Sequence, residues 1–122
     1  MAYEEALKTI SYPASGDLSA SQYCFVHVTG SQLAVSGVAG NPIGVLQDKP
    51  AAAGRPGSVA VEGVTKVRAG GSITVGAEVV CGASGFAYGS GTDAENTMGV
   101  ALETMSAGGI FSMLLQPKGR RA

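Results

Sequence analysis

NPIGVLQDKPAAAGRPGSVAVEGVTKVRAGGSITVGAEVV, residues 41–80, sets short runs of Val, Ile and Leu between glycines and prolines. Residues 43–46, 58–62, 64–68 and 78–81 are apolar-rich and bounded by Gly or Pro, the pattern of short strands separated by turns. Almost no side chain in the stretch is suited to chemistry, so it reads as scaffold. Its segment QDKPAAAGRPG, residues 47–57, is expected to be an exposed loop, because Pro50 and Pro56 lack a backbone donor and Gly54 and Gly57 relax the chain. Exposed, stiffened by proline and flanked by strands, this loop is a candidate contact with another protomer or a larger surface. Lys49, Pro50, Arg55 and Pro56 are its candidate residues.

On the N-terminal side, residues 22–28 alternate cleanly. Cys24, Val26 and Val28 face one way along a strand and Tyr23, Phe25 and His27 the other. Gly30 and Ser31 turn the chain into a second strand through Leu33 and Val35, and residues 37–42 form a loop. On the C-terminal side, Gly63 is expected to separate two paired strands, and Gly70 and Gly71 to turn the chain before Ile73 and Val75. Residues 84–96 read as a surface loop, followed by strands at 98–102 and 110–115. Gly44-Val45-Leu46-Gln47 leading through Ala53-Gly54 to Val59 and Val61 is echoed by Gly99-Val100-Ala101-Leu102 leading through Ala107-Gly108 to Ile110. Each reads as a β-loop-β unit, but the match is too short on its own to establish duplication.

Residues 1–20 differ from the rest. Tyr3, Leu7, Ile10 and Tyr12 are scattered among polar residues, with room for a helical turn over residues 3–8 at most. Pro13 then blocks helical continuation and biases Tyr12 towards an extended backbone. The segment reads as an extended arm, residues 21–117 as the domain, and 118–122 as a basic flexible tail.

Composition bounds the class. A chain of 122 residues makes one domain, able to bury about two-thirds of the surface its unfolded form exposes. Glycine supplies 19 residues, roughly twice its usual share, which fits many tight turns. Only 14% of residues are charged, against about 25% in an average soluble domain, which favours burial in an oligomer or larger assembly. The net charge of −1 is spread evenly, with three basic and four acidic residues up to Val61 and five of each after it. Duplex nucleic acid is therefore excluded as an expected partner, and Lys118, Arg120 and Arg121 read as a solvated end. No apolar run reaches the roughly 20 residues that span a bilayer, and the first 20 lack the features of a signal peptide. No membrane partner is expected, and assembly in a cytoplasm is.

Few residues can do chemistry. Cys24 and Cys81, 57 positions apart and without C-x-x-C spacing, read as buried thiols in a reducing compartment. His27 is the only histidine, which rules out a metal site of two imidazoles within one chain. A Cys-His nucleophile pair would have to join His27 to Cys81, since Cys24 lies on the opposite face of the strand from His27. Asp93, Glu95 and Asn96 lack the ligand spacing of a calcium loop, and the glycines at 82, 85, 89 and 91 form neither a phosphate loop nor a nucleophile elbow. No cofactor, metal or catalytic residue is expected. Phe86 and Tyr88 leave open a β-rich module that binds a small ligand or carbohydrate.

The opening ALKTISYPASGDLSASQYCFV, then Gly44-Val45-Leu46-Gln47, Lys49-Pro50-Ala51-Ala52-Ala53-Gly54, Val59-Ala60-Val61-Glu62-Gly63-Val64-Thr65-Lys66-Val67, Ala69-Gly70-Gly71, Gly99-Val100-Ala101-Leu102-Glu103 and Leu114-Leu115-Gln116-Pro117 together resemble the capsid decoration, or cement, proteins of tailed bacteriophages. Their succession over nearly the whole chain carries the resemblance. It implies an all-β fold, a small single-domain β-barrel or β-sandwich (SH3-like or β-tulip-like) with an extended N-terminal arm. It also implies a structural virion protein on the outer capsid surface, a homotrimer at three-fold sites that binds the major capsid protein and holds the head against the pressure of packaged DNA. In that setting Tyr3, Leu7, Ile10, Tyr12 and Pro13 become candidate capsid contacts.

Overall fold

A computed structural model describes residues 8–36, 42–89 and 96–120. Over these the chain forms nine strands, β1 (Lys8–Pro13), β2 (Phe25–Thr29), β3 (Gln32–Val35), β4 (Gly44–Leu46), β5 (Pro56–Arg68), β6 (Glu78–Cys81), β7 (Ala87–Gly89), β8 (Asn96–Ala101) and β9 (Ile110–Arg120), with one 3-10 turn at Ala83–Gly85. The expected all-β class and small single domain are what the chain adopts.

β5 organises everything else. Its first half pairs with β1, from Lys8 opposite Glu62 to Pro13 opposite Pro56, and with β4; its second half, from Gly63 to Arg68, pairs with β9. Gly63 is thus no turn. It lies inside one 13-residue strand with φ of 117°, a backbone setting that favours glycine, and marks the change of partners.

The first half of the chain curls into a ring. β1 pairs with β5, β5 with β4, β4 with β2 and β2 with β3, and a parallel bridge from Ala14 to Leu33 returns β3 to the end of β1. β2 and β3 join through Gly30 and Ser31, both at positive φ, which is the two-residue hairpin turn whose twist matches that of the strands. Ala14, Leu18, Val26, Leu33, Leu46 and Val59 fill the ring, flanked by Tyr12, Val35, Ile43 and Val61. Phe25, Val45 and Ala60 point the other way and join a second cluster with Val67, Met98, Phe111, Met113 and Leu115. Burial on both faces explains why Phe25-Val26, Val45-Leu46 and Val59-Ala60 are unbroken apolar pairs.

The second half repeats the first. β5 pairs with β9, β9 with β8, β8 with β6 and β6 with β7, and a parallel bridge from Ala69 to Ala87 closes the circuit. The match reaches individual hydrogen bonds. The Gly54 N–H donates to the Ala14 carbonyl and that of Gly108 to the Ala69 carbonyl, each at 2.8 Å. An Asp48 carboxylate oxygen accepts the Ser58 N–H at 3.1 Å, as one of Glu103 accepts that of Ser112 at 2.8 Å. A Cβ at Gly44 would collide with the Ala60 carbonyl oxygen, and one at Gly99 with that of Leu114. The echo heard in the sequence is therefore one strand topology built twice, the two copies sharing β5.

Other expectations need revision. Of the segment read as an arm, residues 8–13 are extended but lie in the sheet, and Ala14 and Leu18 are buried core residues. Alternation in the second strand starts at Phe25, because Tyr23 sits in a turn with φ of 67°. Ile73 makes a single bridge to Met105 and Val75 lies in a turn, so no strand forms there. Residues 87–89 are β7 rather than loop, and β9 runs on through Arg120 into the segment read as a tail. Residues 90–95, and with them Asp93 and Glu95, lie outside the described residues.

Candidate contact surface

Among the described residues the two thiols and the histidine are not assembled into a nucleophile–base pair. Cys24 and Cys81 are both buried thiols without a disulfide. Burial pushes the Cys81 thiol up to about 11, a shift that its hydrogen bond to the Ser36 carbonyl partly offsets. A thiol so placed stays protonated near neutrality and is a poor nucleophile. Burial also raises the Cys24 thiol, although Arg68 beside it acts in the opposite direction. The Nδ1 atom of His27 is buried with no hydrogen-bond partner among the described residues, so no acid or thiol orients it as a base. Among the described residues no group of three or more His, Cys, Asp or Glu side chains gathers as for a metal ion, and no helix is long and apolar enough to cross a membrane. The ring of Tyr88 lies where a Cβ at Gly70 or Gly82 would collide with it. It packs over glycine backbone instead of standing free to stack on a sugar.

Among the described residues, and besides Val28 and Ile110, the fold presents apolar surface on the first ring and on the second. At the open end of the first ring, Ile10 is 39% exposed, with Tyr12, Ile43 and Val61 half-buried beside the core. Their counterparts in the second ring are Thr65, Val67, Met98 and Leu115, and all four are buried. The difference comes from what lies above them. Phe25, Val45 and Ala60 on the outer face of the first ring pack over the second, the Gln47 side-chain amide donates to the Thr65 hydroxyl at 2.8 Å, and the Arg68 N–H donates to the Tyr23 carbonyl at 2.8 Å. Nothing among the described residues does the same for the first ring. On the outer face of the second ring Leu102 is 43% and, beyond it, Val75 57% exposed, with Val100 and Leu114 half-buried.

The structure also joins candidate residues that the sequence kept apart. Pro13 lies opposite Pro56, and the Ala14 N–H donates to the Arg55 carbonyl at 2.8 Å. Pro13, Arg55 and Pro56, all exposed, therefore form one surface at the end of β1, with Lys49 exposed on the same loop. Pro50 is buried, and its carbonyl accepts the Leu18 N–H. Ile10 and Tyr12 stand at and behind the open rim, whereas Tyr3 and Leu7 lie outside the described residues. Ile43, Val61 and Leu102 carried no signal of exposure in the sequence. Each sits in an apolar run that reads as core, and only the comparison of the two rings reveals them.

A small β scaffold with exposed apolar rims fits a structural role, and the phage cement protein family matches residues 5–115. The chain belongs to that family. As a cement-family chain it is a structural protein of the phage head, and its place is the head surface of the virion. No curated protein sequence matches it. Among solved structures it is similar to the head fiber gp8.5 N base of bacteriophage phi29, with a TM-score of 0.74 and 15% identity over 91% of this chain and 95% of that one. At that identity the likeness is one of fold.

Proposed function

We propose that this cement-family chain is a non-enzymatic clamp that binds the major capsid protein on the outside of the head, as a homotrimer at three-fold sites, and stabilises the shell against internal DNA pressure. The observation that carries this reading is the open apolar rim at Ile10, Tyr12, Ile43 and Val61, a surface for joining protomers, in a chain with few charges. Apolar surface left at the end of a closed ring is a place for another protein. Tyr3 and Leu7, which precede β1 in the sequence, and Pro13, Lys49, Arg55 and Pro56, exposed at the end of β1 and on the loop beside it, are the contacts assigned to the capsid. Three modest contacts held in one trimer bind far more tightly than one, because the second and third become intramolecular.

The test is to mix purified protein with undecorated expanded heads and image them. Regular density at three-fold positions is expected, together with a higher temperature of DNA release. Heads that stay bare would overturn the proposal. A chain lacking residues 1–7 keeps all of β1 and should fold, yet decorate with lower occupancy; full occupancy would remove Tyr3 and Leu7 from the contact.

A further inference from the structure

We infer that the joint between the two rings of one chain is repeated between chains: the outer face of the second ring, at Val100, Leu102 and Leu114, seats on the open rim of the first ring of another copy, at Ile10, Tyr12 and Val61. This deepens, and rests on, the self-association in the function proposed above.

Equivalent positions in the two rings show which surfaces correspond. Inside the chain, Val45, Ala60 and Gln47 of the first ring lie on the second. Val45 pairs with Ala60 as Val100 pairs with Leu114, and the Gln47 N–H donates to the Ser58 carbonyl as that of Leu102 does to Ser112. Val100, Leu114 and Leu102 are therefore the same face one ring later. On the receiving side, Val59 lies opposite Ile10 in the first ring as Met113 lies opposite Thr65 in the second, so Ile10 stands where Thr65 stands. One chain thus has one joint made and two matching halves left over, a donor face at one end and a receiving rim at the other.

The side chains at the unused halves have changed together. The joint inside the chain meets at a polar pair, Gln47 with Thr65. Between chains the same positions bring Leu102 to Ile10, which are 43% and 39% exposed in the single chain. Two apolar residues standing in water at separate ends of one molecule, at positions that touch when the joint is copied, identify a second copy of this chain as the occupant. The copied joint differs in one respect. Pro13 stands where Arg68 stands and has no N–H to give, so the backbone bond to Tyr23 has no counterpart. Association between chains is then carried by side chains and is the weaker of the two. Because donor and receiver are different surfaces, the contact is head to tail and builds a ring where the rotation closes. In a trimer that ring would hold six β-units.

Sedimentation of the full-length chain tests this with Ile10→Glu and Leu102→Glu, both exposed sites whose variants should keep the wild-type circular dichroism. Wild type should associate with rising concentration, and each variant alone should associate at least about tenfold more weakly, a loss of ~1.4 kcal/mol. An equimolar mixture of the two variants should form a 1:1 dimer and nothing larger, since one intact donor face meets one intact rim. A monomeric wild type, either variant associating like wild type, or a mixture without dimers would overturn the inference. A chain lacking residues 1–7 should associate as wild type does; if that deletion instead turned a monomer into an oligomer, the chain's own N-terminal segment would be the occupant and the inference would fall. Head binding is scored separately, so wild type that associates yet leaves heads bare would refute the capsid-binding function and leave this contact standing.

Discussion

The first and second rings share one topology and differ in exposure. Val61 and Tyr12 are half-buried where Leu115 and Val67 are fully buried, although each pair occupies the same place on its strand. Local sequence does not produce this difference, since all four side chains are of the kind found in cores. It arises because the first ring lies on the second and nothing among the described residues lies on the first. Burial here is a property of the neighbour, not of the strand.

The strongest way to break the comparison is at the glycines where the two hairpins approach most closely. Gly44→Ala and Gly99→Ala would each drive a Cβ into a carbonyl oxygen of the partner strand, and backbone has little room to yield. Each should cost about 4 kcal/mol or more, read as loss of a folded transition in urea. If one were tolerated and the other not, the two hairpins would not be structural equivalents.

A sharper test uses the rims. Leu115→Ala empties a fully buried site and should cost about 3 kcal/mol, whereas Val61→Ala at the open rim should cost about 1 kcal/mol or less in the monomer. Equal losses would mean that the first ring's rim is covered after all.

Cys81 occupies the place that Val28, 37% exposed, holds in the first ring. Its thiol is raised to about 11 in the folded chain, so on raising the pH the unfolded chain loses this proton first. The stabilisation is complete below the unfolded thiol's pKa and is lost as pH rises through the folded value, on the order of 2 kcal/mol. Denaturation midpoints should fall between about pH 9 and pH 11, and Cys81→Val, which installs the first ring's residue, should flatten that fall. An unchanged slope would show that Cys81 titrates normally.

The mildest comparison concerns Gly54 and Gly108, at φ of 86° and 89° with open space around each. Alanine there should cost only backbone strain, about 1 kcal/mol, and the same amount at both sites. Thermal melts of the two variants should coincide.

Strand content was legible where the apolar pattern and turn residues agreed, as at Gly30-Ser31 and along Phe25–Val28. The repeated Gly-Val and Ala-Gly steps were legible too, because a close strand approach and a positive φ demand glycine whatever surrounds them. The duplication they belong to was not. Between those points equivalent positions share neither side-chain volume nor polarity, as Leu33 and Ala87 at the same bridge, and Gln47 and Leu102, illustrate. Gly63 was misread because a glycine that ends one pairing and begins another looks, in sequence, like one that reverses the chain. Residues 8–18 looked like an arm because β1 sets Ile10 and Tyr12 among polar, exposed neighbours, and the buried anchors Ala14 and Leu18 lie beyond it. At the candidate surface, Ile10 and Pro13 were legible as contact candidates of an arm, and Arg55 and Pro56 as exposed residues of a loop. The open rim was not, since it consists of core residues that lack a cover.

β5 belongs to both rings as a single unbroken strand, and this determines how the molecule carries force. Tension applied across the two ends does not have to pass through the packing between rings, which would part like any interface. It runs along the peptide bonds of β5, while the β1 and β9 ladders flank it on successive lengths and would have to slide along it rather than unzip. A protein tied in this way yields as one body, its two rings joined by a covalent cord.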